Sequence, residues 1–384
     1  MTSSDHEPFS RWRRLWEKSA WVLFMFAVSR LLIVALTVYS RQIVRRGPYV
    51  EVSTQEEHGG TLLDILTQWD GSWYRLIAHH GYAPPMPTLA AAFFPLYPLA
   101  VRAVHVVIRD WQIASLVVSN ACLLGASFLL VRLLRRDYDE LVCRRAITFL
   151  MFNPVSFFLS AAYSESTFLL LSIAALLAAR ENKWLLASLW AGFLTATRAP
   201  GLIIGVPLLA EYALQWRERG AALRQFVQPK LFWLALVPSG LIAYLFYSYI
   251  RRADFFLPMH AQAGGWKKTL TWPWQTFLQP DNFSPSHIPL YQAIVGFALV
   301  LAIAGFFLRL RPMYLVYVVA AMLFYLAWGS LEGLPRYVSV LFPLHLVLAL
   351  LSLRWRWLYE PLLAFSIGLL ALCTILFANA YQMT

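Results

Sequence analysis

The chain is a succession of long apolar runs bounded by charged turns. They fall at about 20–39, 112–132, 146–162, 165–179, 184–197, 200–216, 231–250, 289–308, 312–328, 337–353 and 357–379. Roughly 20 apolar residues carry a helix through the hydrocarbon of a bilayer. The fold class read from this pattern is an all-α polytopic membrane protein with about eleven transmembrane helices. Composition agrees: 59% of residues are hydrophobic and 14% charged, where a soluble domain carries about 25% charged residues. A soluble globular enzyme and a disordered chain are both excluded. No repeat of fixed period stands out, and residues 1–384 read as one domain.

Lys and Arg exceed Asp and Glu by 12 charges. In a membrane chain this excess belongs to cytoplasmic loops. No basic, aromatic-interleaved soluble stretch is present, so no nucleic-acid partner is expected. Cys122, Cys143 and Cys373 lack CxxC spacing and even pairing, and two of them, in or beside apolar runs, read as small packing residues. Neither a Gly-rich phosphate loop nor HExxH nor GxSxG occurs.

The run at 20–39 follows a basic segment (Arg11, Arg13, Arg14, Lys18). It is too long for a signal-peptide core and has no cleavage site after it, so it reads as an uncleaved first span with a cytoplasmic N-terminus. Arg30 within it is a functional candidate by location. From Pro98 to Ile108 the apolar residues are too few to cross, and Arg102, His105 and Arg109 share one helical face. This segment is expected to lie in the outer interface. The Arg-rich stretch 132–145 then falls in the cytoplasm, as the positive-inside rule requires; a crossing helix would invert it. Two long outer loops, 41–111 and 251–288, remain as the places for chemistry.

In the first loop, Thr61 with Asp64 fits a capping box. Trp69, Trp73, Leu76, Ile77 and His80 form a helical stripe over Leu62–Tyr82, which reads as one helix on the membrane surface with its tryptophans at headgroup level. Asp70 sits at the edge of that stripe. Partial desolvation there should raise the carboxyl pKa, which suits a general base. Asp70 equally fits the N-cap of a helix starting at Gly71, worth about 1 kcal/mol.

The motif Trp69-Asp70-Gly71-x-Trp73-Tyr74-x-x-Ile77-Ala78-x-x-Gly81-Tyr82, followed by Ala92-Phe93-Phe94-Pro95-Leu96-Tyr97-Pro98, resembles the PIG-V-like mannosyltransferases. Further matches are Asn153-Pro154, Tyr163-Ser164-Glu165-Ser166, Thr197-Arg198 with Gly201, Gln262 with Trp266, and Leu334-Pro335-Arg336-Tyr337 before Phe342-Pro343. The resemblance covers roughly 20–345 and is specific as a set. Gly71 stands where the eukaryotic pattern has Ala, and the short chain points to a bacterial homologue in the cytoplasmic membrane.

The resemblance implies a GT-C type glycosyltransferase with its catalytic acid, at Asp70, in the first outer loop. Such enzymes take a sugar, here mannose or a related hexose, from a polyprenyl-phosphate carrier and invert its anomeric centre. The acceptor is left as a glycan, a glycolipid or a protein. Membrane lipids are the other partners. The outer loops contain no DxD, so no metal or other cofactor is expected. The remaining site candidates are Trp69, Trp73, Tyr74, Tyr163, Glu165, Arg198, Gln262, Trp266, Arg336 and Tyr337. Arg198 and Arg336 are lone cations at outer turns, against the topological bias, and are candidates for the donor phosphate. Arg198 also fits a snorkelling residue and Arg336 an i, i+4 pair with Glu332. Glu165 suits either helix-start charge after Ser164 or hydrogen bonding to sugar. Trp266, Trp272 and Trp274 suit sugar rings or an interfacial belt. A different class of function, a lipid or polysaccharide transporter or flippase, would be expected to show paired halves with helices broken at midplane; none is evident.

Overall fold

Inside a bilayer each backbone N–H and C=O must find a partner within the chain, which makes the helix the default. The computed structural model describes residues 7–47, 60–220, 222, 226–278 and 288–381, and among these no strand occurs. The helices are α1 (Glu7–Ile43), α2 (Leu62–Leu66), α3 (Asp70–His80), α4 (Leu96–Ile108), α5 (Trp111–Leu134), α6 (Glu140–Met151), α7 (Glu165–Arg180), α8 (Trp184–Thr195) and α9 (Gly205–Glu218). They continue with α10 (Pro229–Phe232), α11 (Ser239–Arg252), α12 (Leu257–Trp266), α13 (Pro273–Leu278), α14 (Ile288–Phe307), α15 (Pro312–Leu326), α16 (Leu334–Ser339), α17 (Phe342–Arg354) and α18 (Tyr359–Ala378).

Five stretches among the described residues are long and apolar enough to cross a membrane: Ala20–Ile43, Trp111–Leu134, Pro229–Arg252, Ile288–Phe307 and Arg356–Ala378. The other six apolar runs fold as shorter helices, some extended by 3-10 turns. Large apolar side chains point outward from these helices, such as Leu31 at 68% exposure, Ile250 at 78% and Phe307 at 76%. Exposed patches of this kind require lipid around them. The protein is an integral membrane protein.

The core is α7, packed between α5 and α8, with α6 against α17, α9 against α15 and α1 against α18. At one end of α7, Glu181, Asp137 and Glu211 hold Arg132, Arg136, Arg180 and Arg311 in ion pairs of 2.5–2.9 Å. At the other end, about 22 Å away by helical rise, begins the loop-built site described below.

Three expected helices are broken, each for a local reason. The surface helix expected over Leu62–Tyr82 divides into α2 and α3 at a turn through Thr67-Gln68-Trp69. The run 146–162 is helical only to Met151. Asn153 then folds back, donating to Leu150 O and accepting from Val155 N, and the chain proceeds through a 3-10 turn, Ser156–Leu159. The run 337–353 divides into α16 and α17 before Pro343, which takes an early position of α17 where its missing N–H costs nothing.

The second break explains Arg30. Its guanidinium donates to Ser156 O at 3.1 Å, Met151 O at 3.2 Å, Ser160 Oγ at 2.7 Å and Ser156 Oγ at 2.5 Å. The charge on α1 thus satisfies carbonyls freed where α6 ends. These contacts are architectural, and Arg30 is not among the residues that line the cavity described below. Arg30→Met leaves these acceptors with fewer donors, at about 1–3 kcal/mol for each one left unsatisfied. A lowered midpoint in detergent thermal unfolding is the expected result; an unchanged midpoint would show that other groups supply the bonds.

The segment 98–108 forms α4. At 13 residues it reaches about 20 Å, short of the hydrocarbon thickness. Tyr97 and Val101 are buried, whereas Val106 and Val107 are exposed. Arg102 donates to His79 O at 2.9 Å and the His105 ring stacks on Trp111 at 3.5 Å, so the polar face expected for α4 is directed at the end of α3 and the start of α5.

Candidate active site

Asp70 is placed by the turn before it. The capping box forms: Thr61 Oγ1 accepts from Asp64 N at 3.2 Å, and Asp64 Oδ2 accepts from Thr61 N at 3.1 Å. Gln68 donates from Nε2 to Phe377 O at 2.7 Å, and its own carbonyl accepts from Tyr163 Oη at 3.2 Å. These bonds hold the turn against α18 and the Ala161–Ser164 segment. Trp69 takes φ 59° and ψ −127°, a region that costs a side-chain-bearing residue about 1–3 kcal/mol. This reversal ends α2 and starts α3 on a new axis. Trp69 occupies the N-cap without a side-chain capping bond, so Asp70 does not serve as the N-cap. It is the first residue of α3, where its charge is favoured by the helix dipole.

Gly71 packs on Ala162; a Cβ there would lie 3.3 Å from Ala162 Cβ, so the alanine of the eukaryotic pattern needs a shift of a few tenths of an ångström. Gly201 is under tighter constraint. A Cβ there would lie 2.6 Å from Leu194 O, so only glycine lets the chain after Arg198 fold back on the end of α8.

The carboxylate of Asp70 meets Arg336, with Oδ2 2.5 Å from Nη1, an ion contact without the alignment of a hydrogen bond. Arg336 is on α16, 7% exposed at its side chain. Its Nε lies 3.5 Å from Glu165 Oε1. The same Oε1 accepts from Arg198 Nη2 at 2.5 Å, and Arg198 Nε donates to Ser164 Oγ at 2.9 Å. Ser164 Oγ is 2.8 Å from Tyr74 Oη. Two carboxylates and two guanidiniums therefore form one buried, charge-balanced chain: Asp70, Arg336, Glu165, Arg198. Its members come from α3, α7, α16 and the turn before Ala199, segments that the charge argument assigned to one side of the membrane or to the end of a span there.

Tyr337 lies among the cations. Its hydroxyl is 3.2 Å from Arg336 Nη2, and its ring centre is 4.7 Å from the Arg198 guanidinium and 5.4 Å from Lys268 Nζ. On the far side of the chain, burial pushes the Tyr74 phenol up to about 12, against the pull of Arg198.

These groups face one cavity. Asp70, Tyr74, Arg198, Gln262, Trp266, Arg336 and Tyr337 line it, and so do Lys268, Trp328 and Glu332. The lining also includes apolar side chains: Leu241 and Leu245 from α11, Pro258 and Met259 from α12. Gln262 Nε2 donates to Ala92 O at 3.2 Å, and Trp266 meets the Phe93 ring edge-on at 5.4 Å, which docks the second outer loop on the first. Leu96 N donates to Ala196 O at 3.0 Å and joins that pair of loops to the Arg198 turn.

Four candidates stand outside the cavity wall. Trp69 is buried at 7% exposure in the main core, and Trp73 stacks on Phe93 at 5.6 Å. Tyr163 is fully buried behind the site, with the Arg336 guanidinium 5.4 Å from its ring centre. Glu165 is fully buried as counter-charge to both arginines. Lys268, Ser164 and Glu332 escaped the sequence reading as site members. Ser164 lay inside a quoted motif, whereas Lys268 carried no signal beyond standing two residues after Trp266.

This architecture has the GT-C glycosyltransferase fold. ArnT from Cupriavidus metallidurans bound to undecaprenyl phosphate superposes over 95% of this chain and 77% of its own, with TM-score 0.52 and 13% identity. The apo state of the same enzyme gives 0.51 over 95% of this chain and 76% of its own, with 15% identity. Over residues 49–216 the chain matches the family described as Mannosyltransferase (PIG-V), in agreement with its motifs. Human GPI alpha-1,6-mannosyltransferase 2 is 30% identical over 154 residues, which is 37% of this chain and 30% of that protein. The segment 49–216 contains Asp70, Glu165 and Arg198; Gln262, Trp266, Arg336 and Tyr337 join them through the fold.

Proposed function

We propose that the protein is an inverting, metal-independent glycosyltransferase that moves mannose or a related hexose from a polyprenyl-phosphate carrier to an acceptor hydroxyl at the outer face of the membrane. The observation that carries this reading is one cavity whose lining is both charged and apolar. Its lining holds a carboxylate and cations, and it also holds aliphatic side chains from α11 and α12. A lipid phosphate needs both: charge for its head and an apolar path for its tail.

In this reading the acceptor oxygen attacks C1 from the side opposite the phosphate. The O–C1 bond forms as the C1–O bond to phosphate breaks, and the lipid phosphate leaves with the electron pair. Asp70 accepts the hydroxyl proton. One of its oxygens is fixed by Arg336; Oδ1 has no partner among the described residues and belongs to a side chain that lines the cavity. Trp266 and Trp328 supply flat faces for a sugar ring.

The test is reconstitution of the full chain in vesicles with polyprenyl-phosphate-mannose and a panel of glycan, glycolipid and peptide acceptors. Transfer with inverted configuration supports the proposal. Movement of the lipid or glycan across the bilayer with no new glycosidic bond would replace it with a transport function.

A further inference from the structure

Arg198 and Arg336 have the chemistry for a lipid phosphate, but both are already engaged. Arg198 is bonded to Glu165 and Ser164, and Arg336 lies between Asp70 and Glu165. Drawing either away would leave a fully buried carboxylate, or the proposed base, without its counter-charge, a costly exchange. The cavity contains one more cation. Lys268 lies just beyond the C-terminus of α12, is half-buried and lines the wall. Its ammonium approaches the Tyr337 ring, and no described carboxylate comes within ion-pair distance of it. Among the described residues it has no ion pair, and it approaches the same Tyr337 ring as the two arginines.

We infer that Lys268 and the Tyr337 hydroxyl form the anion site of this cavity, and that this site receives the phosphate of a polyprenyl-phosphate ligand while the two arginines stay with their carboxylates. The assignment rests on the proposed donor class. A phosphate there would supply the charge that Lys268 lacks. An ammonium binds phosphate as a compact point charge, and Tyr337 adds an O–H donor at a fixed position. Arg198, Arg336 and Lys268 all lie within 4.7–5.4 Å of the Tyr337 ring centre, so a phosphate there meets their combined positive field. The apolar wall at Pro258 and Met259 is formed by the same helix that ends at Trp266, so the tail and the head of one ligand would both be held by α12 and the turn after it.

The experiment measures binding of undecaprenyl phosphate, and of the uncharged alcohol undecaprenol, to the full chain in detergent. Wild type is compared with Lys268→Met, Lys268→Arg, Tyr337→Phe and Lys267→Met, the last an exposed neighbour as control. A charged hydrogen bond contributes about 1.5–3 kcal/mol. Lys268→Met should therefore weaken undecaprenyl phosphate by about tenfold or more, with undecaprenol binding unmoved. Lys268→Arg should restore most of the loss, Tyr337→Phe should show a smaller one, and Lys267→Met none. Equal phosphate binding by wild type and Lys268→Met would overturn the assignment and return the phosphate to the arginines. A wild type that prefers undecaprenyl phosphate no more than undecaprenol would instead sink the donor class, and this assignment with it.

Discussion

Asp70→Asn is expected to abolish sugar transfer while leaving the fold in place. Asparagine matches aspartate in shape and still presents an oxygen to Arg336, but it has no basicity with which to take a proton. General-base assistance contributes about 10²–10⁴-fold to a rate, and the variant should lose turnover by that factor. Donor affinity should hold, because the proposed phosphate site at Lys268 is separate from the carboxylate. The measurement is a turnover assay in vesicles beside a detergent melting curve. Turnover within about threefold of wild type in a folded variant would remove the base assignment. Asp70→Glu is a useful companion. The extra methylene either lifts the carboxylate out of contact with Arg336 or pushes it into the cavity, so partial activity with a changed pH profile is expected.

The motifs that identified Asp70 are local, and local features were the legible part. The capping box at Thr61 and Asp64 forms as the spacing implied, because both partners belong to one helical turn. The apolar runs fold as helices for the same reason. The short, amphipathic α4 was readable from its charges. Fold class was thus available from patterning, and the likeness to the PIG-V mannosyltransferases from a set of short motifs.

What was not legible depends on contacts across the chain. Periodicity over Leu62–Tyr82 gave one continuous helix, because period 3.6 does not register a single residue at positive φ. The turn at Trp69 is held by the Phe377 carbonyl and by Tyr163, both far away in sequence. The run 146–162 looked uniform in hydropathy, and the guanidinium that satisfies its broken end comes from α1. Arg336 and Asp70 are 266 positions apart, so no local pattern pairs the two charges that the fold joins in one ion pair. That pairing changes the chemistry assigned to the arginines. As isolated cations they suggested phosphate ligands; as members of a balanced chain they read as the frame that holds the carboxylates.

Glu165 provides the second large effect, and it separates framework from ligand contact. Its Oε1 is shared by Arg198 at 2.5 Å and Arg336 at 3.5 Å, and the side chain is fully buried. Glu165→Gln removes one negative charge and leaves two buried guanidiniums facing Asp70 alone. Breaking a buried ion pair by removing one partner costs about 3–5 kcal/mol, so a marked fall in the detergent melting midpoint is expected. Pairing the change with Arg198→Met should recover much of it, since the double variant again has one carboxylate and one guanidinium. That recovery is the signature of a counter-charge: a non-additive coupling between two residues in contact. If Glu165 served instead by hydrogen-bonding sugar, Glu165→Gln would keep its stability, raise KM for donor or acceptor, and gain nothing from Arg198→Met. The burial of Glu165 behind both arginines, out of the cavity wall, favours the first outcome.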